Sequence, residues 1–330
     1  MNPRAAPVTV SVALCTYNGQ RFLQEQLDTI ASQSVLPHEL VVGDDRSCDG
    51  TREMLAKFAA DAPFTVRVIE RPVNIGTSAN FADTLAQTTG ELIVLADQDD
   101  RWRVDKLERT LESFTKRPEL LVVFSNARLV DANGESLGKT LFESLGISRD
   151  ERTRVANGHA FDALIRRNIA TGATMTVRRS LVDLALPIGA EWIQDEWLAM
   201  IAATLDGTRL AMIDDPLIDY RQHPANQIGA KPLTRGELVA KLFAARDDHC
   251  PRLLRRTERL IEKVESLGAA VSPDKTVALR EKVEHLRFRA ALPSSRWLRV
   301  APIAAEIVSG RYARFSTGAR AVARDLFAPA

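Results

Sequence analysis

Cysteine is scarce: Cys15, Cys48 and Cys250 are the whole complement of a 330-residue chain. They are odd in number, widely spaced and form no Cys-x-x-Cys pair, which excludes a disulfide framework and a structural zinc site. Long apolar runs are missing too, since none approaches the roughly 18 residues of a membrane-spanning helix. Met1 to Pro7 supplies an arginine but no apolar leader segment before the first strand, so the cytosol is the expected compartment. No Gly-x-Gly-x-x-Gly follows the first strand and no Walker lysine loop occurs, which excludes a dinucleotide fingerprint and a P-loop. Asp45-x-Ser47-x-Asp49-Gly50 has the opening spacing of a calcium loop, but Ala56 stands where the bidentate Glu is required. Repeats and low-complexity tracts do not occur.

The composition that remains, 45% hydrophobic and 26% charged, is that of a globular protein with one large domain and an appendage. Charge is unevenly placed. From Arg235 onward 19 basic residues face 11 acidic ones, leaving 25 against 32 in the body. An acidic body with a basic tail points to an anionic surface, either a membrane headgroup layer or a lipid-linked substrate. In the tail Trp297, Leu298, Val300, Ile303, Ile307 and Phe315 interleave with Arg296, Arg299, Arg311, Arg314 and Arg320, as in an interfacial amphipathic helix pair. The alternative is a helical appendage packed on the main domain. Nucleic acid is not expected as a partner, because no reader motif appears and the body is acidic.

Glu91 to Asp100 carries the strongest signal. Five apolar residues, Leu92 to Ala96, run into Asp97-Gln98-Asp99-Asp100, which reads as a buried parallel strand with carboxylates at its C-terminal end. Such carboxylates repel one another unless a cation or donors meet them, and hard oxygen ligands suit Mg²⁺ or Mn²⁺. Earlier strands over Val8–Leu14, Glu39–Gly43 and Thr65–Glu70 alternate with helices carrying Phe22/Leu23/Leu27/Ile30, Met54/Leu55/Phe58 and Phe81/Leu85. That alternation predicts a parallel doubly wound α/β sheet. Its strand ends, Thr16/Tyr17/Asn18, Asp44/Asp45, Asn74/Gly76 and Asp97/Asp99/Asp100, would converge on one crevice. Further on, a helix is expected over Asp105–Phe114 and strands over Leu120–Phe124, Thr171–Val177 and Leu210–Ile213. Asn126 to about Arg154 reads as irregular, and Trp102 as packing beneath the acidic loop.

Residues 8 to about 130 resemble family 2 glycosyltransferases of the GT-A fold, through Cys15-Thr16-Tyr17-Asn18-Gly19, Asp44-Asp45-x-Ser47-x-Asp49-Gly50-Thr51, Asn74-x-Gly76 and Asp97-Gln98-Asp99-Asp100-x-Trp102 in order. Asn168-x-x-Thr171-Gly172-Ala173-Thr174, Gln194-Asp195-Glu196-Trp197 and Tyr220-Arg221-Gln222-His223-x-x-Asn226 are similar to a bacterial rhamnosyltransferase-like branch, as is the tail around Gly310-Arg311-Tyr312. The resemblance implies an inverting, metal-dependent transfer of a sugar, a deoxyhexose such as L-rhamnose from a dTDP donor or else a UDP-sugar. The implied acceptor is a surface-polysaccharide or lipid-linked glycan at the inner face of the cytoplasmic membrane. Thr16, Tyr17 and Asp45 would hold the base and ribose, with Asn18, Asn74 and Gly76 also in the donor site. Asp97 would meet ribose or diphosphate, Asp99 the cation, Arg221 the diphosphate, and His223 the metal or diphosphate. Asp195 is the implied general base, with Glu196 its rival. The domains expected are 1–230, divided near 130 into nucleotide and acceptor halves, and a basic helical extension over 231–330. A sugar nucleotidyltransferase would need a glycine-rich, cationic phosphate loop after the first strand, which is absent. A non-catalytic nucleotide-sugar scaffold at a membrane is disfavoured by the presence of Asp97, Asp99 and Asp195 together.

Overall fold

The apolar runs of the first hundred residues form β1 (Val10–Thr16), β2 (Glu39–Asp44), β3 (Thr65–Glu70) and β4 (Leu92–Asp97), in a computed structural model that describes residues 8–207, 209–224, 226 and 249–329. They are linked by α1 (Leu23–Ala31), α2 (Thr51–Asp61) and α3 (Thr77–Gln87). β1 lies between β2 and β4, parallel to both, with Thr16 beside Asp44 and Cys15 beside Asp97. Every residue of β1 and β2 is buried, as expected for parallel strands covered on both faces. The polar strand ends therefore share one edge.

The chain continues through β5 (Arg101–Trp102), α4 (Lys106–Lys116), β6 (Val122–Val130), β7 (Ser136–Thr140) and three short helices, α5 (Leu141–Ser144), α6 (Arg149–Ala156) and α7 (Ala160–Leu164). β8 (Met175–Arg178), α8 (Arg179–Ala185), α9 (Gln194–Thr204) and β9 (Leu210–Arg221) complete the sheet region. The strand order is β3-β2-β1-β4-β8-β6-β9-β5, with β7 beside β6. β8 runs antiparallel to both neighbours, so the sheet is mixed beyond β4. The span from Asn126 to Arg154 is more regular than expected. β6 extends into it, and α5 and α6 each open on a capping box, Thr140 with Glu143 and Ser148 with Glu151. Thr171–Val177 starts as a 3₁₀ turn at Gly172–Thr174 before entering β8. β9 is one strand, its polar Asp214-Asp215 segment absorbed by register shifts against Ser125–Ala127.

Among the described residues five further helices follow, α10 (His249–Ser266), α11 (Pro273–Ala290), α12 (Arg296–Val308), α13 (Arg311–Phe315) and α14 (Ala319–Phe327). Leu260, Val264, Leu279 and Phe315 join the main core, while Leu292, Ile303, Tyr312 and Ala321 form a smaller one. A buried polar network ties the last helices together: the two ring nitrogens of His285 meet Glu306 (2.7 Å) and Ser316 (2.8 Å), and Arg289 and Tyr312 meet Asp325. This corrects the amphipathic pattern expected of the tail. Ile303, Phe315 and Arg299 point inward, Arg299 donating to four backbone carbonyls, and Arg311 and Arg314 pair with Glu306 and Glu281. What remains outside on α12 is an apolar stripe of Trp297, Leu298, Val300, Ile307 and Val308, the first and last 87% and 88% exposed. The expected 230/231 boundary lies outside the described residues. Among these, no helix is long and apolar enough to cross a membrane.

Candidate active site

The four polar strand ends do meet, through hydrogen bonds that close the crevice floor. Thr16 Oγ1 donates to Asp44 (2.9 Å), which also accepts from the Ser47 N–H and from Arg52. Asp45 accepts from the backbone N–H groups of Ile75 (2.7 Å) and Gly76 (2.9 Å), and the Asn74 amide donates to the Asp45 carbonyl. Gly76 sits at φ +84°, a conformation that suits glycine. Asn18 accepts from the Cys48 N–H while its own N–H donates to Ser47. Tyr17, by contrast, is 48% exposed and presents its ring at the rim. Thr16, Asn18 and Asp45 thus already hold protein partners and fix the floor on which a nucleoside would lie.

Above the floor stand Asp97, Asp99 and Asp100. Burial first, then repulsion from Asp99 and Asp195, pushes Asp97 up to about 7, with Lys106 opposing. Asp100 is raised as well, chiefly by burial and then by Asp99 and Asp97. Lys106 is the buried counter-cation: its ammonium donates to the Ala173 carbonyl (3.0 Å), lies 4.1 Å over the Trp102 ring, and is itself lowered by burial to about 7. Trp102 is buried beneath the loop, its backbone N–H donating to the Thr29 hydroxyl. His223 Nε2 lies 2.8 Å from Asp99 Oδ2, with its ring against Phe22. Arg221 requires a correction. Its guanidinium is buried and occupied by the Asp99 carbonyl, the Ala132 carbonyl and Glu25, and its N–H donates to Asp100, so it braces the loop and does not reach for a diphosphate.

Asp195 opens the first turn of α9 and is buried. Its Oδ2 accepts from the Gly172 N–H (2.7 Å) and its Oδ1 from the Glu196 N–H (2.6 Å). Burial nevertheless raises it to about 6. It lies near enough to Asp97 to repel it. Glu196 turns elsewhere and pairs with Arg256 of α10. A carboxylate kept partly protonated near neutrality, at the edge of an acidic crevice, is equipped for proton transfer.

Sequence reasoning missed three contributors. Gln98 clamps the first strand end to the acidic loop, accepting from the Tyr17 N–H (2.8 Å) and donating to its carbonyl (3.1 Å). Lys106 had a legible signal, because it shares a buried helical face with Leu107, Thr110 and Phe114. Glu25, the counter-ion of Arg221, had none, being 196 residues away in sequence.

Among the described residues no three His, Cys, Asp or Glu side chains converge closely enough to hold an ion unaided. Asp97 and Asp99 with His223 nevertheless offer donors that fit Mg²⁺ or Mn²⁺ once substrate phosphates complete the shell. Asp100 Oδ2, buried without a hydrogen-bond partner among the described residues, and the raised Asp97 show carboxylates crowded together, a strain that a cation would relieve.

Residues 11–171 match the family model described as glycosyl transferase family 2. An uncharacterised protein of Mycobacterium tuberculosis is 30% identical over 217 residues, 65% of this chain and 59% of the relative, so the chain spans about three fifths of that relative's length. An uncharacterised glycosyltransferase of Nostoc is 24% identical over 236 residues, 70% of each chain. Among solved structures, S. aureus TarS 1-349 in complex with UDP-GlcNAc has a TM-score of 0.51 at 18% identity, covering 84% of this chain and 87% of that one, a likeness of fold.

Proposed function

We propose that this chain, whose residues 11–171 match glycosyl transferase family 2 and whose α/β fold is of the GT-A type with C-terminal helices, moves a sugar from a nucleoside diphosphate donor to a glycan hydroxyl with inversion. One observation carries this reading: Asp97, Asp99 with His223, and Asp195 stand together at the carboxyl edge of β4. Tyr17 flanks the base and ribose, over a floor fixed by Thr16, Asn18, Asp45, Asn74 and Gly76. Asp97, Asp99 and His223 would hold Mg²⁺ or Mn²⁺, which when bound supplies neutralisation of charge on the departing nucleoside diphosphate. Asp195 takes the proton of the acceptor hydroxyl as its oxygen attacks the anomeric carbon, and that single displacement inverts the carbon. Arg221 keeps the acidic loop in place.

The finer reading is a dTDP-linked deoxyhexose such as L-rhamnose, otherwise a UDP-sugar, delivered to a surface-polysaccharide or lipid-linked acceptor on the cytoplasmic side of a membrane. The motif resemblance at Gln194–Trp197 and Tyr220–Asn226 supports the donor. The exposed stripe of α12 beside Arg296 supports the location. The domain reading follows: a donor half over about 8–130, an acceptor half to about 230, and helices beyond. Calorimetry with dTDP and UDP in the presence of Mn²⁺ tests the site. Binding that depends on Mn²⁺ and is lost in Asp99→Ala is the expected result; binding unchanged by either manipulation overturns the metal-assisted donor site.

A further inference from the structure

A cavity of about 350 Å³ opens between α9 and the C-terminal helices. Leu164, Trp192, Met200, Leu253, Leu260 and Leu279 give it apolar walls, and Arg166, Arg256, Lys282 and Arg320 give it positive charge. Among the described residues its lining has a single carboxylate, Glu196, already paired with Arg256. Two other lining cations are also matched, Arg167 by Glu151 and Arg289 by Asp325. Among the described residues Lys282 has no ion-pair partner: its ammonium donates to the neutral Ile165 carbonyl (2.6 Å), and burial, opposed by the Glu196 charge, brings it down to about 8. The Nε atoms of Arg166 and Arg256 are buried with no hydrogen-bond partner among the described residues. The Arg256 guanidinium is held in place over the Trp192 ring at 4.2 Å, and that ring donates to the Arg256 carbonyl. Buried donors left unmatched are costly, and the cost is recovered when an anion with several acceptor oxygens arrives.

We propose that this cavity holds the acceptor by a phosphate ester, its oxygens on Lys282, Arg166 and Arg256 and its apolar chain along Trp192, Met200 and Leu253. The placement argues for the acceptor over a regulator. Glu196 borders the cavity and directly follows Asp195, so the cavity wall and the base share the first turn of α9. The inference rests on the glycosyl-transfer reading and names its acceptor class, an amphipathic phosphate or diphosphate ester.

Octyl phosphate and inorganic phosphate, titrated separately into the full-length protein by calorimetry, test it. Octyl phosphate is expected to bind at least about tenfold more tightly than inorganic phosphate, and Lys282→Met and Arg166→Gln each to weaken it about tenfold or more. Lys282→Met replaces a buried cation by an apolar side chain of similar length, and circular dichroism checks that both variants are folded. Equal affinity for the two probes would mean a free-anion site, and unchanged octyl phosphate affinity in both variants would place the ligand elsewhere; either result overturns the proposal. Mn²⁺-dependent binding of dTDP or UDP, measured on the same protein, reports separately on the donor site, so its failure is not confused with failure of the cavity.

Discussion

Asp195 has both carboxylate oxygens engaged by backbone N–H groups, and burial still holds it up at about 6. A base must be unprotonated to accept a proton. Its active fraction therefore falls about tenfold per pH unit below 6 and is nearly complete above 7. The expected kcat/KM profile has an acidic limb at about pH 6, and Asp195→Asn cuts turnover by roughly 10²–10⁴-fold while Mn²⁺-dependent nucleotide binding persists. Glu196→Gln strips Arg256 of its partner and is expected to alter KM for acceptor, leaving the acidic limb in place. Steady-state kinetics on the two variants decide between them: if Glu196→Gln loses both turnover and the limb, the base is Glu196.

The elements that shape the site are held by a few polar latches. At the start of β2, Glu39 accepts from Ser11 (2.6 Å), from the N–H and hydroxyl of Thr89, and from Arg67. Burial alone would raise this carboxyl, but the donors overcome it and bring it to about 2. Because the folded value is depressed, the stabilisation is fully present above about pH 4.5 and fades as pH falls toward 2. Glu39→Gln is expected to lose about 1–3 kcal/mol at pH 7 in denaturant unfolding, the gap to the parent closing below pH 4. Where α3 crosses β2, a Cβ on Gly43 would stand 2.1 Å from Thr84 Oγ1 and 2.4 Å from Asn80 Oδ1. Gly43→Ala should therefore push the helix off the strand and lower the thermal midpoint, at about 1–3 kcal/mol. Strands β1 to β4 were legible because each is a compact apolar run between turn residues, and their acidic ends announced the crevice. The antiparallel entry of β8 was not, since Met175–Arg178 carries no mark of direction. Nor was the occupation of Arg221, which depends on Glu25 from the far end of the chain. Capping boxes at Thr140 and Ser148 were written in the sequence but lie in a polar stretch without apolar periodicity.

Across the whole molecule, the exposed stripe of α12 points away from the polar network that fastens the last helices. With Arg299 buried and Arg311 and Arg314 paired, membrane attachment would rest mainly on apolar insertion, assisted by about 1 kcal/mol from each free basic residue near an anionic leaflet. Full-length protein is expected to sediment with phosphatidylglycerol vesicles and the double variant Trp297→Ser/Val308→Ser to stay in the supernatant, whereas Arg296→Gln shifts only the salt needed for release. Equal sedimentation of parent and double variant would remove the membrane role. The neighbouring carboxylates of α9 carry a longer consequence. Asp195 takes its position from the backbone N–H groups of Gly172, in the turn before β8, and of Glu196, whereas the Glu196 side chain takes its own from Arg256 in the appended helices. Both bonds to Asp195 come from backbone N–H groups, so neither depends on which side chain stands at position 196. Recombination could therefore exchange everything that grips Glu196 while the machinery around Asp195 is inherited intact, and descendants would differ in what they decorate more readily than in how they do it. The seam between those two histories is a single peptide bond.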